Sequence, residues 1–311
     1  MPFLLFAVLS KGGSIIDKLT QHLLALHYIT PLTAKAVAKL IHTKQLERLD
    51  TLKPQELTQT LRINEQRAGA ILKQFKEVNN IDMLAYYDSN AIKPLPFYHD
   101  DYPKRLLLIY DAPAVLYAKG NVSLLNNPAV AVIGARKATS YTTRSLQQLL
   151  PQLCAHNITI ISGLAIGADT VAHRLTLQFG GQTIAVLGSG FYHMYPRQNE
   201  QLANQLIEKN LLLTEYAPYV KPARHHFPMR NRIVSGLAQA LIVTEAAKKS
   251  GTLITTEFAL DEGKDVFVTP GPIDSPLSQG TNSLLMEGAI PLLNSEQIIE
   301  ALQQKIENEL Q

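Results

Sequence analysis

Cysteine and long apolar runs are scarce in this chain of 311 residues. Its single cysteine, Cys154, cannot form a disulfide within the chain, which favours the reducing cytoplasm. The one long apolar run covers residues 3–9, far short of the roughly 18 residues that a transmembrane helix needs. No basic segment precedes that run, so it fits a secretory signal peptide poorly. We therefore expect a globular cytoplasmic protein without a membrane partner.

The net charge of +3 is small, but the charges are distributed unevenly along the chain. Residues 136–249 contain 12 basic and 5 acidic side chains, a net charge of +7, whereas residues 250–311 contain 2 basic and 10 acidic side chains, a net charge of −8. A basic segment of this kind favours a polyanionic partner such as a nucleic acid. The alternative is that these charges only keep the surface soluble.

Residues 1–85 are predicted to form a small helical domain. Apolar residues recur at helical spacing after Pro31 and again between Glu65 and Phe75. Residues 86–112 follow as a predicted linker, because turn-forming residues and three prolines between positions 86 and 103 exclude a long regular element.

From residue 113 onward, short runs of β-branched residues alternate with amphipathic segments. The predicted strands are residues 129–133, 158–161, 183–187, 211–214, 241–244 and 266–269. The predicted helices lie near residues 141–155, 167–178, 198–209, 229–238, 252–262 and 296–308. Strands that are apolar throughout are typical of a parallel sheet covered on both faces. We therefore predict that residues 113–311 form a doubly wound α/β domain with a mostly parallel sheet.

Glycine-containing loops follow several of these predicted strands. Residues 134–140, 162–169 and 188–190 follow the first three strands, and residues 250–252 lie beyond the fifth. Ligands bind at the carboxyl ends of the strands in such sheets, and glycines there let backbone N–H groups approach an anion. Four arginines in or near the loops would add phosphate contacts: Arg136, Arg197, Arg230 and Arg232. The sequence therefore predicts a phosphate-binding rim, although any single glycine could simply form a tight turn.

Two common nucleotide-binding motifs are absent from the sequence. Residues 134–139 lack the Gly-x-Gly-x-x-Gly pattern, and Ser162-Gly163 stands where an acidic residue would bind a ribose, which disfavours NAD. No segment has the Gly-x4-Gly-Lys-Ser/Thr pattern, which disfavours ATP hydrolysis by a P-loop. We expect no cofactor.

Candidates for catalysis or metal binding are few. Asp169 and His173 lie four residues apart on a predicted helix and could act with Ser162 as a catalytic set. The alternative, which we favour, is that Asp169 caps the helix and His173 packs beside it. Three glutamates would form a carboxylate site only if they shared a cleft: Glu215, Glu245 and Glu257. Three possible metal ligands lack the spacing of a metal site: Cys154, His225 and His226. We therefore expect neither catalysis nor a metal.

An ordered series of motifs resembles the DNA-processing protein A (DprA/Smf) family over roughly residues 95–300. The motifs are VIGAR at 132–136, ISGLAIGAD at 161–169, TIAVLGSG at 183–190 with Tyr195-Pro196, FPMRNRI at 227–233, EAAKKSGTLIT at 245–255, Pro270-Gly271, and GTNSLLMEGA at 280–289. The chain departs from the family pattern at Tyr141-Thr142, where the family has Tyr-Gly, and at Gly263-Lys264, where it has Gly-Arg.

The resemblance implies an extended Rossmann-like, doubly wound sheet preceded by a small all-α domain similar to the sterile-alpha-motif fold. It also implies a homodimer that binds single-stranded DNA and loads RecA onto it during natural transformation. Together with Lys137, the residues carried over to the DNA site are Gly134, Arg136, Ser162, Gly163, Gly167, Gly188, Gly190, Arg197, Arg230, Asn231, Arg232, Ser250, Gly251 and Thr252. Arg136 and Arg197 are the strongest candidates among them, and the bases are expected to stack on Phe191, Tyr192 or Tyr195.

Two other functions remain open from the sequence. One is a nucleotide-processing enzyme of the phosphoribohydrolase type, because Ser250-Gly251-Thr252 followed by Glu257 faintly resembles the Lonely-Guy motif. The other is an interaction scaffold whose acidic C-terminal segment contacts RecA.

Overall fold

The first part of the chain is helical, as the apolar spacing predicts. The computed structural model describes residues 13–310, so the apolar run at 3–9 lies outside the described residues. The helices here are α1 (Gly13–Ile29), α2 (Ala34–His42), α3 (Pro54–Leu61), α4 (Glu65–Val78) and α5 (Met83–Ser89), with a 3-10 helix at Leu46–Thr51. We call residues 13–89 the helical region.

Polar side chains define where several of these helices begin. Thr33 accepts a hydrogen bond from the backbone N–H of Ala36 at the start of α2, and Asn64 accepts one from Arg67 at the start of α4. Side-chain oxygens at these positions satisfy N–H groups that have no partner inside the helix, so each helix begins at a defined residue.

The remainder of the chain forms a nine-stranded sheet with the order β1-β2-β6-β5-β4-β3-β7-β8-β9. The strands are β1 (Lys93–Pro96), β2 (Val115–Gly120), β3 (Ala129–Ile133), β4 (Thr159–Ser162), β5 (Thr183–Val186), β6 (Leu211–Thr214), β7 (Ala240–Val243), β8 (Asp265–Val268) and β9 (Ile290–Pro291). All pairs from β6 across to β9 are parallel, while β1 and β2 are antiparallel to their neighbours.

Helices cover both faces of this sheet. They are α6 (Ser140–Ala155), α7 (Ala168–Gln178), α8 (Glu200–Lys209), α9 (His226–Leu237), α10 (Gly251–Asp261), α11 (Gln279–Met286) and α12 (Glu296–Leu310). In β3, Val130 and Val132 belong to the core under α6, whereas Ala131 and Ile133 belong to the core shared with α9 and the helical region. This two-sided burial explains the continuous apolar strands and confirms the doubly wound, mostly parallel α/β class.

Residues 86–112, which we predicted to be a linker, contain the end of α5, the strand β1 and a 3-10 helix at Lys104–Leu108. Strand β1 tolerates Pro94 and Pro96 because it lies at an edge of the sheet. On its outer side no further strand needs the hydrogen bonds that the missing N–H groups would have donated. The opposite edge ends in β9, whose two residues are Ile290 and Pro291.

The helical region packs directly against the antiparallel side of the sheet. Tyr117 of β2 is fully buried, and its hydroxyl lies 3.0 Å from Nδ1 of His27 and 3.1 Å from the hydroxyl of Tyr87. Burial lowers the pKa of His27 to about 3, so its imidazole is neutral at physiological pH. None of the helices between residues 13 and 310 is both long and apolar enough to cross a lipid bilayer.

Candidate nucleic-acid interface

The strand order reverses at β3, where the chain continues to β4 on one side and β7 lies on the other. The loops that follow β3 and β7 leave in different directions, which opens a crevice at the carboxyl ends of these strands. A cavity of about 480 Å³ lies in this crevice. It is lined by nine of the predicted site residues: Gly134, Arg136, Lys137, Gly163, Arg230, Asn231, Ser250, Gly251 and Thr252.

Arg136 and Lys137 are the exposed cations among the residues that line this cavity. The guanidinium carbon of Arg136 lies 5.7 Å from the ring centroid of Phe227, a separation at which a cation is attracted to an aromatic face. Both cations also line a second, adjoining cavity of about 240 Å³, together with Phe227 and Tyr195. Basic and aromatic side chains therefore meet at one edge of the sheet.

Phe227 is a site residue that sequence reasoning missed. It lies in the first turn of α9 and lines both cavities. The available signal was its place at the start of the FPMRNRI motif, three residues before Arg230.

Tyr195 is the predicted stacking residue that the structure places at the smaller cavity. Its ring centroid lies 5.5 Å from that of Phe227, and the side chain is 48% exposed. Arg197 is exposed two residues later, at the start of a 3-10 helix that ends at Asn199, and it does not line either cavity. Of the other two aromatic candidates, Phe191 is half-buried against the core and Tyr192 hydrogen-bonds the helical region.

Arg230 is buried within the site, and its Nη1 and Nε donors are used inside the protein. Its Nη1 donates to the carbonyl oxygens of Gly163 and Val186, and its Nε lies 2.9 Å from the side-chain oxygen of Asn231. Asp169 lies nearby, and its Oδ2 accepts the backbone N–H groups of Gly163 and Ala165 at 3.1 and 3.2 Å. Burial raises the pKa of Asp169, and the positive charge of Arg230 opposes that rise. The hydrogen bonds of Arg230 thus stabilise the loop after β4.

Arg232 lies away from both cavities. It is buried on α9 and forms an ion pair with Glu215, which follows β6. Burial raises the pKa of Glu215, and the adjacent guanidinium of Arg232 counteracts this effect. A DNA phosphate at the cavities would not meet this arginine.

Most of the predicted glycines serve close packing between loops. A Cβ on Gly163 would overlap the Arg230 guanidinium, and one on Gly190 would overlap the carbonyl oxygens of Ala217 and Pro218. Gly167 has a φ of +89°, which disfavours any side chain. Gly251 differs, because a Cβ there would meet no atom of the protein within 4 Å.

The other predicted residues have structural contacts of the same kind. An added Cβ on Gly134 would overlap Thr244, and one on Gly188 would press against the Phe227 ring at 3.0 Å. The hydroxyl of Ser162 donates to the carbonyl oxygen of Val132 at 2.7 Å, which ties β4 to β3. Gly167, Gly188 and Ser162 therefore shape the loops without lining either cavity.

The amino terminus of α10 faces the larger cavity. Ser250 precedes the helix, and its hydroxyl has no hydrogen-bond partner among residues 13–310. Thr252 donates its hydroxyl to the carbonyl oxygen of Gly134 at 3.2 Å, which joins this helix to the loop after β3. Since the first N–H groups of a helix carry partial positive charge, this end of α10 adds to the positive potential of the site.

Residues 93–303 match the family model described as DNA recombination-mediator protein A. The chain belongs to the DNA recombination-mediator protein A family. The DNA processing protein DprA of Bacillus subtilis is 40% identical over 72% of this chain and 75% of the relative. This confirms the resemblance to the DprA/Smf family.

Two solved structures of DNA processing protein A share the fold of this family member. That of Streptococcus pneumoniae has a TM-score of 0.77 at 34% identity and covers 89% of this chain and 95% of that chain. The structure from Helicobacter pylori has a TM-score of 0.62 at 30% identity, and the match covers 69% of this chain and 96% of that chain. The Helicobacter protein is described as having a single-stranded DNA binding mode.

The catalytic alternatives find little support in this family member. Thr183 donates its hydroxyl to the carbonyl oxygen of Ile160, so it accepts from Nδ1 of His173 at 2.7 Å. The His173 ring is completely buried, which lowers its pKa to about 3. Because the hydroxyl of Ser162 is directed to Val132 instead, the Ser162–His173–Asp169 set does not form a nucleophile–base pair.

The three glutamates do not share a cleft. Glu245 is buried and accepts hydrogen bonds from the backbone and hydroxyl of Thr139 at 2.7 and 2.8 Å, and from the hydroxyl of Thr142 at 2.7 Å. Glu215 pairs with Arg232, and Glu257 is exposed on α10 outside the larger cavity. The carboxylate site considered from the sequence is therefore not assembled by these three residues. Among residues 13–310, no group of three or more His, Cys, Asp or Glu side chains is placed to hold a metal ion.

Proposed function

We propose that this chain is a cytoplasmic protein that binds single-stranded DNA at the two adjoining cavities. The observation that carries the proposal is the exposed guanidinium of Arg136 over the Phe227 ring, beside Lys137 and Tyr195, at the point where the strand order reverses. Membership of a recombination-mediator family and the DNA-binding description of the Helicobacter pylori protein support it.

The chemistry of the site suits a flexible polyanion with exposed bases. In our proposal Arg136, Lys137 and Arg197 contact successive phosphates, and the amino terminus of α10 attracts one of them. The unpaired bases of a single strand can stack on the rings of Tyr195 and Phe227. The bases of a duplex are already stacked on one another and are not available for such contacts. Because phosphate contacts and stacking do not distinguish bases, the preference for sequence is weak.

The test is to measure binding of oligo-dT by the Arg136→Ala and Arg197→Ala variants. Each charge-assisted contact is worth about 1.5–3 kcal/mol, so each variant should bind roughly 10- to 100-fold more weakly at low salt. The slope of log K against log salt should fall by about 0.7 for each phosphate that the variant no longer neutralises. Arg67→Ala, an exposed arginine on α4 of the helical region, is the matched control. Folded Arg136 and Arg197 variants that bind as tightly as the wild type would contradict this assignment.

We further propose that the DNA-bound protein acts as a homodimer that loads RecA during natural transformation. The family description as a recombination mediator supports this proposal. The protein should accelerate assembly of RecA filaments on single strands coated with single-strand-binding protein, and Arg136→Ala should not. Light scattering should give twice the chain mass. Unchanged filament assembly would contradict the loading function without contradicting DNA binding. A monomeric mass would contradict the homodimer.

A further inference from the structure

The loop after β5 connects the DNA site with the helical region. We call residues 190–197 the arm. At Tyr192, the arm contacts the end of α5: the Tyr192 hydroxyl donates to the side-chain oxygen of Asn90 at 2.8 Å and lies 3.2 Å from the hydroxyl of Tyr86. The amide nitrogen of Asn90 donates to the carbonyl oxygen of Tyr86 at 2.7 Å, which orients the Asn90 oxygen toward Tyr192.

The helical region also holds the neighbouring loop after β6. The hydroxyl of Tyr219 donates to the carbonyl oxygen of Tyr28 at 2.6 Å, and the two rings lie 4.6 Å apart. This loop is joined to the arm by backbone hydrogen bonds, from Tyr192 N to Pro218 O at 2.9 Å and from Gly190 N to the carbonyl oxygen of Val220 at 2.8 Å. The first half of the arm is therefore held to the helical region through two routes.

The second half of the arm carries the proposed DNA contacts. Tyr195 lies three residues beyond Tyr192 and Arg197 two residues further, so one peptide segment of about 17 Å at most spans all three. Beyond Arg197, the side-chain amide nitrogen of Asn199 donates to the carbonyl oxygen of Leu164 at 2.8 Å. This hydrogen bond holds the carboxyl-terminal end of the arm against the loop after β4. Contacts at both ends thus set the position of Tyr195 and Arg197.

We propose that Tyr86 and Asn90 are positioning residues for single-stranded DNA, acting through Tyr192 on the arm. This inference rests on the proposed function. The two hydroxyl contacts keep the arm in the conformation that places Tyr195 at the smaller cavity and exposes Arg197 two residues further along. Without them, the arm spends only part of its time in that conformation, and the apparent affinity falls by the same fraction. The helical region then contributes to DNA affinity without touching DNA.

The experiment compares Tyr192→Phe with the wild type in oligo-dT binding and in hydrogen exchange of residues 191–199. The substitution removes both hydroxyl contacts and keeps the ring. We expect affinity to weaken about fivefold, equivalent to about 1 kcal/mol, since partly exposed hydrogen bonds contribute modestly. Exchange in the arm should become faster. Tyr86→Phe, which removes one of the two hydrogen bonds, should give a smaller loss. Tyr110→Phe, at a tyrosine that is 88% exposed, is the matched control.

Combining Tyr192→Phe with Arg197→Ala and Tyr195→Ala separates positioning from general destabilisation. If Tyr192 acts through the arm, its effect on binding should largely disappear once the Arg197 and Tyr195 side chains are gone. The same fivefold loss in that background would overturn the inference, as would unchanged binding and exchange in Tyr192→Phe alone. A wild-type protein that does not bind oligo-dT would instead overturn the proposed function itself.

Discussion

Replacing Arg230 by methionine is expected to destabilise the fold as well as to alter the site. Arg230 is 4% exposed, and its guanidinium donates to two carbonyl oxygens and to Asn231. Methionine leaves these acceptors without donors and leaves the Asp169 carboxylate without its nearby positive charge. Removing one partner of a buried charge pair costs about 3–5 kcal/mol, which corresponds to a loss of about 5–8 °C in Tm for a chain of 311 residues.

The pH dependence of this loss follows from Asp169. Burial already raises its pKa, and Arg230 limits the rise, so Arg230→Met should raise the pKa further. An acid with a raised pKa in the folded state binds its proton more readily there than in the unfolded chain. The stability deficit of the variant should therefore be largest near neutral pH and should shrink as the pH falls toward the raised pKa.

The assay is urea unfolding of Arg230→Met at pH 7.5 and pH 5.5, with Asp169→Asn as a second change. The backbone N–H groups of Gly163 and Ala165 both donate to the same carboxylate oxygen of Asp169. The side-chain oxygen of asparagine can therefore accept the same two hydrogen bonds without carrying a charge. The double variant should therefore recover part of the loss. Arg136→Met, at an exposed position, should change stability by less than about 0.5 kcal/mol. If Arg230→Met kept wild-type stability and lost only DNA binding, Arg230 would be a DNA ligand and our reasoning would be refuted.

Two further predictions concern packing and pH. Gly190→Ala should prevent stable folding or lower Tm strongly, because the new methyl group overlaps the backbone carbonyl of Ala217, whereas Gly251→Ala should change Tm by no more than about 2 °C. Equal Tm values for the two would contradict this. The low pKa values of His27 and His173 mean that the unfolded chain binds protons first as the pH falls below about 6.5. Unfolding free energy should drop between pH 7.5 and 5.5 by about 1.4 kcal/mol for each histidine, and His173→Gln should remove its share.

The sequence predicted the parallel core well because burial on both faces leaves a clear signal. The runs at 129–133 and 211–214 are strands with the predicted bounds, and the other four predicted strands differ by one residue at one or both ends. The strands β1, β2 and β9 were missed. Lys93–Pro96 contains two prolines and Ile290–Pro291 is only two residues long, so neither has the pattern of a regular strand.

Charge in a sequence does not reveal burial, and this limited what could be said about the site. Arg136 and Arg230 both lie in family motifs, yet one is exposed over Phe227 and the other is buried against Gly163 and Val186. Whether each arginine is exposed or buried depends on which turn of α9 packs against the loop after β4. That packing exists only in the folded chain. The contact between Tyr192 and Asn90 likewise joins residues 102 positions apart.

Both ends of the nine-stranded sheet are closed to growth. The outer strand at one side contains Pro94 and Pro96, and the outer strand at the other side ends at Pro291. Proline has no N–H to donate, so an incoming strand would find an interrupted row of donors at either side. Two copies of this chain would therefore not associate by joining their sheets into a continuous one. A dimer would have to use the side chains of helices and loops instead.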